Sequence, residues 1–288
     1  MTATVDRKGA LPHAAAVMAR AAGENFPVAS RLLPRHEREH LLALYGYARL
    51  VDDAGDEAPG DRTALLNEIQ ADLDGIYAGE NPRHALMTRL AATVRQRDVP
   101  RAPLQALIQA NRRDQEVTTY ATFDELLGYC ELSANPVGRL VLQVFGAATP
   151  ARVALSDRVC TALQLAEHWQ DVTEDLVRGR VYIPAEDLER HGVAVADLRE
   201  RPAPPGVRAL IGFEVARARR ILDEGAPLVR TLRGRPRLAV AAFVAGGQAA
   251  LDAIDRAGGD VSAGPPRAGS ASRSWALVRV LARERRSA

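Results

Sequence analysis

The sequence predicts an all-α protein, and three observations carry that prediction. Apolar residues recur at intervals of three and four along almost the whole chain. No run of β-branched alternation bounded by turn residues stands out. Short breaks such as AGDEAPGD, AGENP and FGAATP cut the rest into helix-sized pieces. Helices are expected near 12–22, 35–54, 61–78, 83–97, 102–118, 122–146, 152–177, 204–231, 235–257 and 273–285.

At 288 residues with 47% apolar content the chain can bury one large core, and no linker divides it. A single all-helical domain over 1–288 is therefore expected, with 1–11 and 258–274 flexible. A net charge of only +2 argues against disorder and against nucleic acid as a partner. The first ten residues lack an apolar signal region. The longest apolar run, Leu238–Gly246, is too short to cross a bilayer, so a cytoplasmic protein with at most peripheral membrane contact is expected. Cys130 and Cys160 have no metal-ligand spacing and read as reduced core thiols.

Taken in order, Pro34 and Pro103 suit first helical turns, and Thr122 or Asp124 can cap the helix over 122–146. Pro136 removes a backbone N–H inside that helix and predicts a kink. Asn135 beside it bonds freed backbone or takes part in chemistry, two readings of equal weight. Gly246 and Gly247 allow close helix approach or room for a long ligand tail.

Two helices carry a polar line on an otherwise apolar surface. Gln164, His168, Asp171 and Asp175 stand at offsets 0, 4, 7 and 11, which an α-helix gathers into an arc of roughly 60°. Tyr45, Arg49, Asp52 and Asp56 repeat the same spacing. Each line ends in a carboxylate pair four residues apart, with Cβ atoms roughly 6 Å from one another. Such pairs repel themselves unless a cation sits between, and all-oxygen donors suit Mg²⁺, which takes the rest of its shell from water and phosphate. The bland alternative is a solvated helix face. Arg49 is expected to neutralise Asp52 or to grip a phosphate, with Asp53 off the line and at most supporting.

YGYARLVDDAGDE and HWQDVTEDLVRGRVYIP resemble the two aspartate motifs of the squalene and phytoene synthase family. ENFPVASRLLP (24–34), SANPVGRL (133–140) and EHWQDV (167–172) are most similar to its hopanoid-pathway branch, and the resemblance runs from about Ala15 to Gln248. It implies an isoprenoid synthase fold with a central hydrophobic cavity and a prenyl diphosphate substrate. It also implies Mg²⁺ held by Asp52, Asp56, Asp171 and Asp175, and functional coupling to neighbouring squalene-pathway enzymes. By position, Tyr129, Ser133 and Gly138 match residues around the reacting carbons, and Tyr129, Asn135 and His168 are the catalytic candidates beside the aspartates. Arg180 and Tyr182 match the family's phosphate-binding arginine and tyrosine, and Tyr45, Arg49, Gln164, Ser133, Phe26 and Ser30 are the further substrate-binding candidates.

The chain departs from the family pattern in several places, among them Glu131 where two-farnesyl members often have tyrosine and SANP in place of a small apolar tetrad. Gly23, Glu24 and Asn25 replace an opening hydroxyl-and-basic motif; Gln170 stands where many relatives have arginine, and His168 where they have asparagine. Loss of charge beside the diphosphate and gain of a water-holding imidazole imply conversion of presqualene diphosphate to hydroxysqualene. Condensation of two farnesyl diphosphates is the alternative. A non-catalytic helical relative would typically have lost one aspartate pair, and this chain keeps both.

Overall fold

The computed structural model describes residues 10–19 and 34–286. The helices are α1 (Ala14–Ala19), α2 (Arg35–Asp52), α3 (Arg62–Ala78), α4 (Ala85–Arg97), α5 (Arg101–Arg113), α6 (Phe123–Ser133) and α7 (Asn135–Val144). They continue with α8 (Pro150–Gln170), α9 (Val172–Val177), α10 (Ala185–Arg190), α11 (Pro205–Gly225), α12 (Leu228–Thr231), α13 (Gly234–Arg256) and α14 (Ser270–Arg286). Among the described residues the one extended pairing is an isolated parallel bridge between Thr119 and Val181. The all-α prediction holds.

The chain divides into two compact units, 1–116 with 140–146, and 117–139 with 147–288. In the first, α2 to α5 bury Tyr47, Leu50, Leu66, Ile69, Leu73, Leu90, Leu104 and Ile108, and Leu140 and Val144 join the same core. Two buried polar groups in that core show how a low-dielectric interior is satisfied. The Tyr47 hydroxyl donates to the Leu104 carbonyl at 2.7 Å. Asp72 accepts from Arg83 N, Arg83 Nε and His84 N at 2.9–3.1 Å. Asp61 and Gly79 end α3 as the sequence suggests, the first by capping Ala64 N and the second in a left-handed conformation.

In the second unit α8 packs against α11, and small residues set the approach. A Cβ on Gly225 would come within 2.8 Å of Val159, and one on Gly247 within 2.6 Å of Leu163. Gly247 thus serves close helix approach. Helix α13 is long and apolar enough to cross a membrane by length and composition, with mean hydropathy 1.4, but half of that stretch is buried in the fold, as in a core helix. The 258–274 stretch begins with an anchored turn: Gly258 and Gly259 take positive φ, Val261 and Ser262 are buried, and Asp260 pairs with Arg208 at 2.8 Å.

Several expected elements are cut differently. The helix expected over 122–146 ends at Ser133 and restarts at Asn135, so Pro136 opens a helix instead of kinking one. The helix expected over 152–177 breaks at Asp171, and that over 204–231 at Ala226–Pro227. Helix α10 and a 3₁₀ turn at Asp197–Arg199 are additions to the expected set, being too short for helical periodicity to register.

The second unit also buries a charge cluster. Glu214 and Asp187 are fully buried, and Arg217 Nη2 donates to Asp187 Oδ2 at 2.8 Å while Nη1 lies 3.8 Å from Glu214. The guanidinium lies over the rings of Phe123 and Phe213 at 4.0 and 4.5 Å. Burial pushes Glu214 up to about 8; Arg217 opposes the rise and Asp187 adds to it. A carboxyl whose folded pKa is raised stabilises the fold fully below its unfolded value and loses that contribution as pH rises through the folded value. Glu214→Gln should therefore gain thermal stability relative to the parent between about pH 5 and about pH 9, by an amount on the order of a few kcal/mol. A stability difference that does not change with pH would contradict this account of Glu214.

Candidate active site

The second aspartate motif sits where α8 gives way to α9. Asp171 adopts φ −100° and ψ 14°, in the bridge region between helix and strand. The backbone ladder nevertheless continues through it, since Asp171 N donates to Glu167 O and Asp175 N to Asp171 O, both at 2.9 Å. The polar line of Gln164, His168, Asp171 and Asp175 is thus carried by two helices joined at one residue. It stays together across the joint, with His168 Nδ1 4.0 Å from Asp175 Oδ2.

After α9 the chain turns back on this motif. Gly179 is left-handed, its N–H donates to Leu176 O at 3.2 Å, and Arg180 N donates to Asp175 O at 2.9 Å. These two bonds make a Schellman cap, with glycine at the one position that needs positive φ. Val181 N then donates to Thr118 O at 2.8 Å and Ala185 N to Tyr120 O at 2.9 Å. This short pairing brings Tyr182 against an aromatic group. The Tyr182 ring stacks on His168 with centroids 3.7 Å apart and lies 5.8 Å from Tyr120 and 5.7 Å from Tyr129. All four side chains are buried.

His168 is neutral here. Burial first, and the Arg180 charge second, push its pKa down to about 3. The Gln164 amide nitrogen lies 3.2 Å from His168 Nε2. An amide nitrogen can only donate, so Nε2 accepts and the ring carries its proton on Nδ1, toward Asp175. The carboxylates are shifted the other way. Burial and then Asp171 push Asp175 up to about 7, and burial and then Glu174 raise Asp171. A cavity of about 10 Å³ lies here, lined by His168, Asp175, Arg180 and Tyr182 among others. That is room for about one water molecule.

The first motif departs from α geometry in its own way. Helix α2 ends at Asp52 and continues as a π-helical turn over Asp53–Glu57. Such widened turns recur at functional sites. Arg49 does not pair with Asp52 as expected. Its Nε lies 2.8 Å from Asp53 Oδ1 and its Nη2 3.1 Å from Glu57 Oε1. Asp53 is buried, so the arginine compensates the more desolvated charge, at the i,i+4 spacing that helices favour. Asp52 accepts instead from Asn111 Nδ2 of α5 at 3.0 Å. Burial pushes Asp52 up to about 6, with Asn111 and Arg49 opposing the rise and Asp56 and Asp53 adding to it. Its side chain keeps a solvent-exposed edge, which limits the effect of burial.

The remaining candidates divide. Tyr45 is half-buried on α2, one turn before Arg49. Ser133 Oγ donates to its own helix at Tyr129 O, 3.2 Å away. Asn135 is buried and its Oδ1 accepts from Thr161 Oγ1 at 3.0 Å, which ties α7 to α8. Gln170 Nε2 donates to the Pro266 carbonyl. Phe26 and Ser30 lie outside the described residues. Sequence reasoning missed Asn111 and Tyr120 as parts of the two motifs. The signal for Asn111 was a polar residue continuing the apolar line Leu104, Leu107, Ile108 of α5.

The donor set fits a hard divalent cation. Each motif offers carboxylates whose raised pKa values record unrelieved repulsion or burial, the condition a cation relieves. Among the described residues no three His, Cys, Asp or Glu side chains converge as a ready metal centre. A cation at either pair would complete its shell with water and substrate oxygens, as Mg²⁺ commonly does.

Comparison with known proteins identifies relatives of this chain. A squalene/phytoene synthase family model matches residues 19–276. The chain is 35% identical over 204 residues to a phytoene synthase of Mycobacterium tuberculosis, covering 69% of this chain and 67% of that protein. It is 36% identical over 216 residues to a hydroxysqualene synthase of Rhodopseudomonas palustris, covering 73% and 72%. Among solved structures, squalene synthase HpnC from Alicyclobacillus acidocaldarius aligns with a TM-score of 0.79 at 43% identity, over 86% of this chain and 93% of that one.

The glycine cap after α9 gives a direct test of how the second motif is held. Gly179→Ala places a Cβ at φ 78° and should cost about 1–2 kcal/mol in thermal or urea unfolding. Gly128→Ala, inside α6 with open space around it, should instead stabilise by roughly 0.5–1 kcal/mol. Equal effects at the two positions would mean that the cap does not carry the turn.

Proposed function

The chain belongs to the squalene/phytoene synthase family and is an isoprenoid synthase, and on that premise we propose that it converts presqualene diphosphate to hydroxysqualene. The observation that carries this reading is the neutral His168 facing Asp175 across 4.0 Å, beside a cavity that holds about one water. A gap of that length is too long for a direct hydrogen bond and suits a bridging water.

The chemistry rests on the protonation states. A water between the two groups accepts from His168 Nδ1–H and donates to Asp175, which leaves a lone pair for the cation that remains once diphosphate has departed and the cyclopropylcarbinyl cation has rearranged. The proton released on capture passes to the Asp175 carboxylate that the water already faces. Tyr182, stacked on the imidazole at 3.7 Å, holds the ring in this orientation. Arg180 supplies positive charge for the departing diphosphate, and Arg49 can exchange its acidic partners for phosphate oxygens. Each pair, Asp52 with Asp56 and Asp171 with Asp175, would hold Mg²⁺, which when bound would supply Lewis-acid stabilisation of the leaving group. A product this apolar fits peripheral membrane contact and transfer to neighbouring pathway enzymes.

The likeness to a presqualene diphosphate synthase of Rhodopseudomonas palustris, 31% identical over 212 residues, favours a second reading, condensation of two farnesyl diphosphates, since both aspartate pairs are intact. Product analysis separates the two. With presqualene diphosphate and Mg²⁺ in ¹⁸O-labelled water, hydroxysqualene should form without NADPH and carry the label. His168→Phe should shift the products toward elimination or rearranged hydrocarbons, with the alcohol falling by about tenfold or more, as loss of one hydrogen bond to a bound water implies. Unlabelled alcohol would exclude water capture, an unchanged ratio would remove His168 from it, and squalene formed only with NADPH would favour condensation.

A further inference from the structure

One buried side chain is built into the first aspartate motif without belonging to it. Asn111 is 5% exposed and sits on the inner face of α5. Its Nδ2 donates to Asp52 Oδ1 at 3.0 Å and to Leu107 O, one turn back, at 3.2 Å. Below it, Gln115 Nε2 donates to Gly55 O at 2.9 Å and to Asn111 O at 3.1 Å. Helix α5 and the turn that follows it therefore grip the π-helical turn, Asn111 of α5 at the carboxylate that opens it and Gln115 at a carbonyl inside it.

Gly55 makes this grip sterically possible. A Cβ built there would lie 2.2 Å from Asn111 Oδ1, 2.9 Å from its Cγ and 3.0 Å from its Cβ. All three nearest atoms belong to Asn111, so the glycine serves this one contact. No positive φ is involved, and an alanine at 55 would fit the backbone while displacing the asparagine. A neutral amide also suits the location. It can donate to a carboxylate without adding charge beside Asp52, Asp53 and Asp56, whereas a lysine or arginine there would compete with a cation.

We infer that Asn111 is the positioning residue of the first aspartate motif: it holds one oxygen of Asp52 and locks the π-turn through Gly55, leaving the second oxygen of Asp52 to bind a divalent cation together with Asp56. This rests on the reading of Asp52 and Asp56 as metal ligands. It assigns the stability of the widened turn to α5 and not to any bond within the turn.

The test is Mn²⁺ binding to the full chain in the presence of inorganic diphosphate, followed by electron paramagnetic resonance, with helical content from circular dichroism alongside. Asn111→Ala should weaken Mn²⁺ binding by about 10- to 100-fold, the usual effect of losing an outer-shell partner, with helicity kept. Gly55→Ala should reproduce the defect with Asn111 still present, and it keeps the idea testable should Asn111→Ala fold poorly. The double variant should be no weaker than the worse single one, because both changes break the same contact. Asp52→Asn is the reference. If it weakens Mn²⁺ binding while Asn111→Ala and Gly55→Ala do not, the positioning role is wrong and the metal site stands. If Asp52→Asn has no effect either, the metal-site reading itself fails and this inference with it. Additive losses in the double variant would overturn the shared-contact argument.

Discussion

Asp175 lies in surroundings that raise its pKa to about 7, with Asp171 as its principal charged opponent. Holding two carboxylates against their own repulsion is the constraint on which the rest of the site depends. A continuous helix could space them, but it could not supply what turns their charge to use. The chain instead breaks the helix at Asp171, ends α9 on a glycine cap and brings Arg180 and Tyr182 back beside the pair. The imidazole of His168 is then flattened against Tyr182 and kept neutral by burial and by Arg180. Each feature comes from accommodating charge where water is scarce.

The first motif meets the same constraint by other means. Its helix widens into a π-turn, Arg49 is engaged by the buried Asp53, and a neutral asparagine is left to hold Asp52. Both motifs depart from α geometry at their aspartates, one by a single bridge-region residue and the other by a five-residue π segment. Non-ideal backbone at such places is maintained only where surrounding contacts determine it. Here those contacts are the amides of Asn111 and Gln115 in one case and the paired segment 118–121 with 181–186 in the other.

The all-helical class is legible in the sequence because periodicity extends over long segments, and both aspartate motifs are legible because four polar residues recur at one spacing. Spacing cannot show the backbone at the motifs themselves. Projection at 100° per residue assumes an uninterrupted α-helix, so it places Arg49 on Asp52, whereas the i,i+4 partner Asp53 is the one it reaches. Pro136 defeats the pattern for a related reason: a proline opens a helix as readily as it kinks one, and only the break at Ala134 decides which. Asn111 and Tyr120 escape notice because their partners lie far along the chain, 59 residues away for the Asn111–Asp52 bond. Short-range pattern carries no information about such pairs.

If the carboxylate pairs exist to bind diphosphate through a divalent cation, metal and anion must act together. Thermal unfolding in the presence of Mg²⁺, of inorganic diphosphate, and of both together tests this most directly. Little stabilisation is expected from either alone and a rise in Tm of several degrees with both, since a ligand that binds only the folded state stabilises it by mass action. Equal stabilisation by diphosphate without metal would contradict it, because the anion would then be held by arginines alone and the aspartates would have no part in its binding.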